Sequence, residues 1–181
     1  MTEIRLAPMD DAALLRFENA LLTESGTGEF QWFGFTDLSR VRARYAEGGL
    51  LGDQGGMLSV VVDGELAGRV EWLSASWGRS SSACWTIAVG IDEGQRRRGI
   101  GTAAHRLLVD YLFRHSRAER VQAYTDKQNI AERSALSSAG FIEEGVVRRA
   151  QWRNGSWHDM VLSSSLREEW GHIGRWDGGA D

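Results

Sequence analysis

The segment Gln95-Arg96-Arg97-Arg98-Gly99-Ile100-Gly101-Thr102 concentrates the residue types that hold a phosphate group. Glycines let a backbone approach a ligand and adopt conformations closed to other residues. The first amides of a helix have no internal partner and carry the positive end of its dipole, so a helix starting here offers N–H groups to an anion. Guanidinium groups add forked donors matched to phosphate oxygens. Together these features predict a pyrophosphate site over Arg96–Thr102; the plainer alternative is an exposed, glycine-softened turn with solvated arginines. The Walker pattern is absent, since no Gly-Lys-Ser/Thr occurs. Gly99-Ile100-Gly101-Thr102-Ala103-Ala104 does spell G-x-G-x-x-A, and Asp126 follows ~20–25 residues on, as in a dinucleotide-binding fold. That fold needs several successive parallel β-α units, and too little chain follows Asp126 to build them. A Rossmann-type oxidoreductase therefore ranks last.

Other chemistry is sparser. His105, His115, His158 and His172 show no metal-ligand spacing with Cys84, so no metal site is expected. Cys84 reads as a small core residue rather than a nucleophile. No Gly-x-Ser-x-Gly elbow is present. The run Phe30-Gln31-Trp32-Phe33-Gly34-Phe35, with Glu29 beside it, could form an acceptor pocket. Aromatic walls with one carboxylate suit a cationic amine that carries an apolar body. Equally, these aromatics could seal the core between two helices. Glu29, Trp32 and Phe33 are the candidate contacts.

The elements that must position these residues follow from periodicity. Ile4 and Leu6 alternate with charges as a short strand, and Asp10 or Asp11 can cap a helix to about Thr23 whose apolar side is Leu14, Leu15, Phe17, Leu21 and Leu22. Residues 24–36 form a glycine-broken loop. A second helix covers Asp37 to Glu47 and ends at Gly48-Gly49. Met57–Val62 and Glu65–Leu73 are β-rich runs joined by Asp63-Gly64, a dipeptide that favours the type I′ hairpin turn. Ala83–Ile91 is a third run. Ala103, Ala104, Leu107, Leu108, Tyr111 and Leu112 make the clearest helical stripe. Val121–Thr125 is a strand, Ile130–Ala139 a helix closed by Gly140, and Phe141–Val147 and Trp157–Ser163 two final strands. The order β-α-α-β-β-β-α-β-α-β-β reads as an α+β fold in which antiparallel hairpins feed one β-α-β crossover.

Composition bounds the function classes. The chain has 181 residues, 42% apolar and 25% charged, with Gly 22 and Trp 8 as its unusual counts. A net charge of −4 argues against a nucleic-acid coat, because phosphate-backbone affinity comes from excess Lys and Arg. No apolar run approaches the ~20 residues of a membrane helix, and charges at Glu3, Arg5, Asp10 and Asp11 interrupt any signal peptide. One cysteine rules out an internal disulfide framework and suits a reducing cytoplasm. A soluble, cytoplasmic protein with neither nucleic-acid nor membrane partner is the expectation.

Arg96-x-x-Gly99-x-Gly101, placed in a β-α-β crossover, resembles the coenzyme A signature of the GNAT N-acyltransferases. Asn129, then Ala139-Gly140-Phe141, Glu144-Gly145, Arg148, Gly155, Trp157 and Asp159, resemble the second half of one branch of that family. The branch includes ribosomal-protein N-terminal acetyltransferases and many small-molecule acetyltransferases. Ile4-Arg5-Leu6-Ala7-Pro8 and Asp63-Gly64-Glu65 also sit where the branch has them, so the resemblance spans roughly residues 3–168. It implies a GNAT-like mixed central sheet with a splayed β-α-β cofactor crossover and flanking helices. A single domain over residues 1–168 would be followed by a mobile tail over 169–181.

The same resemblance implies an N-acetyltransferase that uses acetyl-CoA, without a metal, on a primary amine of a small molecule or peptide. A protein N-terminal acetyltransferase and a non-catalytic acyl-CoA-binding module are the alternatives, and a homodimer is compatible with either. In the family, the strand before the loop is splayed by a bulge and pairs with pantetheine, a role that falls on Val89, Gly90 and Ile91. Arg96, Arg97, Arg98, Gly99, Ile100, Gly101 and Thr102 take the pyrophosphate, and Asn129 the pantetheine amides. Asn129 and Glu132 equally fit a helix capping box. Acyl transfer to an amine needs a base, donors for the oxyanion and a proton for the departing thiolate. Glu71, facing opposite to Val70 and Trp72 on the strand beside the cofactor strand, is the first choice of base, with Asp159 second. The tyrosine many members place four residues before the Gly-Phe corner is Leu136 here, and the serine the branch places three after the asparagine is Glu132. Ser134 is the nearest hydroxyl, with Tyr124 on the neighbouring strand.

Overall fold

A computed structural model describes residues 2–171, in the order β1 (Ile4–Pro8), α1 (Asp11–Ala20), α2 (Glu24–Thr27), α3 (Ser39–Gly48), β2 (Leu51–Gly52), β3 (Gly55–Val62) and β4 (Glu65–Ser76). There follow β5 (Ala83–Ile91), α4 (Ile100–His115), β6 (Arg120–Asp126), α5 (Ile130–Ser138), β7 (Ile142–Arg153), β8 (Ser156–Leu166) and α6 (Arg167–Trp170). Local chemistry sets many of these boundaries. The Asp10 carboxylate accepts from the Ala13 amide at 2.8 Å and starts α1. Gly49, at φ 61°, ends α3 in the left-handed conformation. Asp63 and Gly64 both have positive φ, 49° and 85°, as a type I′ turn between β3 and β4 requires.

The strands form one mixed sheet in the order β1-β3-β4-β5-β6-β8-β7, with β2 pairing β3 off the main path. Every neighbouring pair is antiparallel except β5 and β6, the two strands of the crossover through α4. Helices α4 and α5 cover one face, where Ile100, Ala104, Leu108, Leu112 and Leu136 pack on Val60, Val70, Ile87, Val89 and Val121. On the other face Ala13, Leu14 and Phe17 of α1 pack on Met57, with Val41 and Tyr45 of α3 alongside. Arg42 of α3 forks onto the buried Glu18 carboxylate of α1 at 2.6 and 3.0 Å, which binds those two helices together. That hydrogen-bonded guanidinium holds the Glu18 carboxyl below its ordinary range, against the opposing effect of burial.

The architecture matches the expected α+β crossover fold, with several local corrections. Leu15 and Leu22 are exposed, because α1 ends at Ala20 and its buried face runs through Ala13, Leu14, Phe17 and Glu18. On α4 the buried stripe is rotated: His105, Val109 and Phe113 are buried, while Ala103, Leu107 and Tyr111 are only partly so. β7 and β8 run well past their expected ends. Their ladder skips from Val147↔Met160 to Gln151↔His158, and this irregularity absorbs Arg148, Arg149 and Ala150 so that the hairpin can continue. Residues 169–170 of the expected tail belong to α6, and Trp170 packs against the core. Gly171 follows as a turn, and residues 172–181 of that tail lie outside the described residues.

Candidate active site

β5 and β6 are hydrogen-bonded partners only at Trp85↔Val121 and Thr86↔Gln122. Beyond those two pairs, Ile87–Ile91 stays with β4 and Ala123–Asp126 stays with β8, so the sheet is open between the C-terminal ends of the parallel strands. Backbone groups on the two inner edges are thereby left for something else to satisfy. The opening is not made by a bulge in β5. The β4–β5 register runs unbroken from Gly68↔Ile91 to Ser76↔Ala83, and the irregularity lies one strand over, between Val60↔Gly68 and Val61↔Leu66. The expected bulge at Gly90 is thus corrected. At Gly90 a Cβ would stand 2.5 Å from Nη1 of Arg69, the movable end of a long side chain. Arg69 in turn lies over the Phe17 ring, 4.5 Å from its centroid.

Helix α4 begins at the mouth of the opening. Gly99 is its N-cap at φ 75°, no side chain caps it, and its first internal bond runs from the Ala103 amide to the Gly99 carbonyl at 3.1 Å. The amides of Ile100, Gly101 and Thr102 therefore have no acceptor within the helix. Ile100 is buried as the hydrophobic anchor, whereas the nearest atom to a Cβ at Gly101 would be Ile91 Cγ1 at 3.9 Å. The three arginines divide. Arg96 donates through Nε to the Ile91 carbonyl at 2.9 Å and ties the loop to the end of β5. Arg98 bonds Gln95. Arg97 sits in the left-handed region at φ 61°, an uncommon conformation for a residue with a side chain. Open amides, a bare Gly101 and the remaining guanidinium donors fit a pyrophosphate group.

Asn129 stands at the start of α5. Its side-chain oxygen accepts from the Glu132 amide at 3.1 Å, the cap expected of it. The reciprocal half of the capping box is missing, because the Glu132 carboxylate turns instead to Nε2 of the fully buried His105 at 2.8 Å. With its oxygen committed to the cap, Asn129 retains its NH₂ donors for a ligand. The two readings of this residue are compatible.

Glu71 lies opposite Ala88 in the ladder, one strand in from the opening, on the sheet face that carries α1. Its Oε1 is 3.4 Å from Arg69 Nε, and its side chain is a third exposed. Asp159 is committed elsewhere: its Oδ1 accepts from the Arg149 amide at 2.9 Å and closes the β7 irregularity. Ser134 is exposed and stands roughly 160° around α5 from both Glu132 and Leu136. The structure does not bring it together with the other candidates. Tyr124, by contrast, is a partly exposed hydroxyl on the open stretch of β6. Cys84 is buried, and burial pushes its thiol up, with Arg120 opposing weakly. Among the described residues no group of three or more His, Cys, Asp or Glu could hold a metal.

The aromatic loop does not seal the core. Phe35 is 86% exposed and Phe33 60%, Glu29 is exposed, and Trp32 meets Phe35 edge-on at 5.6 Å. Phe30 is gripped by Arg153 at the end of β7. Sequence reasoning missed Arg153, His105 and the buried role of Asp126. His105 alone carried a local signal, as a polar residue set among the apolar positions of α4.

The model of the acetyltransferase (GNAT) domain matches residues 3–142. YdaF of Bacillus subtilis (strain 168), named as a candidate ribosomal N-acetyltransferase, is 34% identical over 130 residues, which cover 71% of this chain and 66% of that protein. YjcK of the same organism, named as a candidate N-acetyltransferase, is 33% identical over 107 residues, 59% of this chain and 58% of that protein. The matched regions thus span about three fifths to two thirds of these relatives' own lengths. Among solved structures, spermidine N-acetyltransferase from Vibrio cholerae, in complex with CoA and spermine, superposes with a TM-score of 0.78 at 16% identity, covering 93% of this chain and 98% of that one. RimJ of Mycobacterium smegmatis, in complex with CoA-disulfide, gives 0.73 at 21% identity, covering 93% and 88%. These likenesses establish the shared fold. With the family match over most of its length, the chain belongs to the GNAT acetyltransferase family.

Proposed function

We propose that this protein is an acetyl-CoA-dependent N-acetyltransferase acting on a primary amine of a small molecule or peptide. The observation that carries the reading is the opening between β5 and β6, set directly beside the uncapped amides of α4. Pantetheine would add to the free edge at Val89, Gly90 and Ile91 as an extra strand does, the pyrophosphate would rest on the Gly99–Thr102 amides with Arg96–Arg98 around it, and Asn129 would donate its amide. That coenzyme A-bound complexes occur among the fold neighbours supports this placement.

The chemistry follows from the faces of the sheet. The amine approaches from the α1 side and loses a proton to Glu71, directly or through water. Its nitrogen then attacks the thioester carbonyl, and backbone amides of β5 hold the oxyanion. Collapse breaks the C–S bond, the nitrogen gives its second proton to solvent as the amide forms, and the sulfur takes a proton from solvent or from Tyr124, the hydroxyl on the facing strand edge, which solvent then reprotonates. Glu29, Trp32 and Phe33 would form the acceptor lip, whose exposure suits a surface that receives a ligand.

The test is a panel of primary amines, including polyamines, amino sugars and peptides with free N-termini, incubated with acetyl-CoA and read by mass spectrometry alongside thiol release. Acetylation of at least one amine above the uncatalysed rate is expected. Tight acetyl-CoA binding with no product on any amine would favour the non-catalytic acyl-CoA module. Trp32→Ala should then raise KM for the identified amine severalfold and leave acetyl-CoA affinity alone, the signature of a lost substrate contact. Earlier melting with normal kinetics would return Trp32 to a structural role.

A further inference from the structure

We propose that Arg153 is the positioning residue of the acceptor loop, and that Asp126 couples it to the asparagine on the coenzyme side; this rests on the reading of residues 29–35 as acceptor lip. Arg153 ends β7 and is only 4% exposed, an unusual place for a guanidinium. Its Nη2 donates to Asp126 Oδ2 at 2.5 Å, and its Nη1 donates to Gln151 Oε1 at 2.6 Å and to the Phe30 carbonyl at 3.3 Å. The guanidinium also faces the Phe30 ring at 5.5 Å. One side chain therefore grips a loop residue 123 positions earlier in the chain by carbonyl and ring together.

The loop has few other holds. Phe33 and Phe35 are exposed, with Trp32 edge-on to Phe35, and Gly28 and Gly34 turn the chain at φ 89° and 93°, conformations that cost glycine little. A buried ion pair is weak evidence of stability, since packed apolar residues often serve as well, but it fixes geometry where a fork must meet several partners. Here the fork meets a carboxylate, an amide side chain, a backbone carbonyl and a ring.

Asp126 extends the link. It closes the open stretch of β6, its Oδ1 accepts from the Gln128 amide at 2.8 Å, and its carbonyl accepts from the Asn129 amide at 2.9 Å. The turn that presents Asn129 is thus built on the residue that anchors Arg153. His158 completes the cluster, with Nδ1 3.0 Å from Asp126 Oδ2 and Nε2 3.0 Å from Ser156 Oγ. Burial opposes the Asp126 charge, but the bonds from Arg153 and from the Gln128 amide prevail and hold the carboxyl below its ordinary range. A single ionised carboxylate therefore braces both substrate sites.

Two variants test the grip without discarding the buried charge. Arg153→Lys keeps a cation for Asp126 but lacks the fork, and Phe30→Ala removes the ring while leaving the Asp126–Arg153 pair whole. The readouts are hydrogen exchange over residues 28–36, acetyl-CoA affinity by calorimetry, and kinetics on an amine from the panel. Both variants should speed loop exchange about tenfold and raise amine KM about fivefold, with kcat and acetyl-CoA affinity within twofold of wild type. Asp126→Asn should weaken acetyl-CoA binding and raise amine KM together. Unchanged loop exchange in Arg153→Lys and Phe30→Ala would overturn the positioning role and leave the acetyltransferase reading intact. Faster exchange with unchanged amine KM would overturn the acceptor role of the loop, and this proposal with it.

Discussion

Replacing Glu71 with glutamine should lower kcat/KM by roughly 10²-fold, the usual size of a general-base contribution. An alkyl amine titrates near the lysine value of about 10.4, so at neutral pH it is almost all protonated and cannot attack. Something must accept that proton. Glu71 is the carboxylate opposite Ala88, on the β5 stretch that leaves its other edge open, and its exposed third faces the side from which an amine would arrive. Glutamine keeps the shape and removes the basicity. The deficit should be deepest below about pH 8 and shrink as pH rises, because free amine and hydroxide then replace the missing base. A pH–rate profile of both proteins on one identified amine decides the matter. Superimposable profiles would clear Glu71, and because Asp159 is committed to the Arg149 amide, the proton would then go to water.

Gly101→Asp should weaken acetyl-CoA binding more than tenfold, a loss above about 1.4 kcal/mol. A Cβ at this position would have Ile91 Cγ1 as its nearest neighbour, at 3.9 Å, an ordinary van der Waals contact, so the substitution begins without a clash. Its φ is not in the left-handed region, so no backbone strain confuses the result. What changes is a negative charge at the first turn of α4, where Ile100, Gly101 and Thr102 offer unpaired amides. An aspartate would satisfy those amides itself and repel a pyrophosphate. Calorimetric titration of the folded variant at wild-type affinity would remove the site from α4.

What could be read from the chain alone was what is local. Ala83–Ile91 was delimited to the residue because its apolar run is bounded by a Gly/Ser loop and a Gly/Arg loop. Asp63-Gly64 announced its hairpin because a type I′ turn selects residues that tolerate positive φ. The helix start after Gly99 was legible too, and the anion site proposed there needs only local features, because a helix N-terminus binds through its own backbone. Long-range matches left no such trace. Arg153 gives no hint in the sequence that it will close on Phe30, nor His105 that it will draw Glu132 away from its capping box. The buried stripe on α4 lies a fraction of a turn from the one its apolar spacing predicts, because its buried side depends on where α5 and the sheet lie. Ser134 is the nearest hydroxyl only in sequence, and helical geometry turns it outward.

The two-pair junction between β5 and β6 limits how robust a working version of this chain can become. Extending the parallel ladder toward Ile91 and Asp126 would add hydrogen-bonded partners and harden the fold, while sealing the slot that the coenzyme is proposed to enter. Resilience and turnover are thus opposed along one seam of the sheet. Selection for heat resistance alone would drift toward variants that have zipped it shut, whereas selection for activity must keep the architecture unfinished.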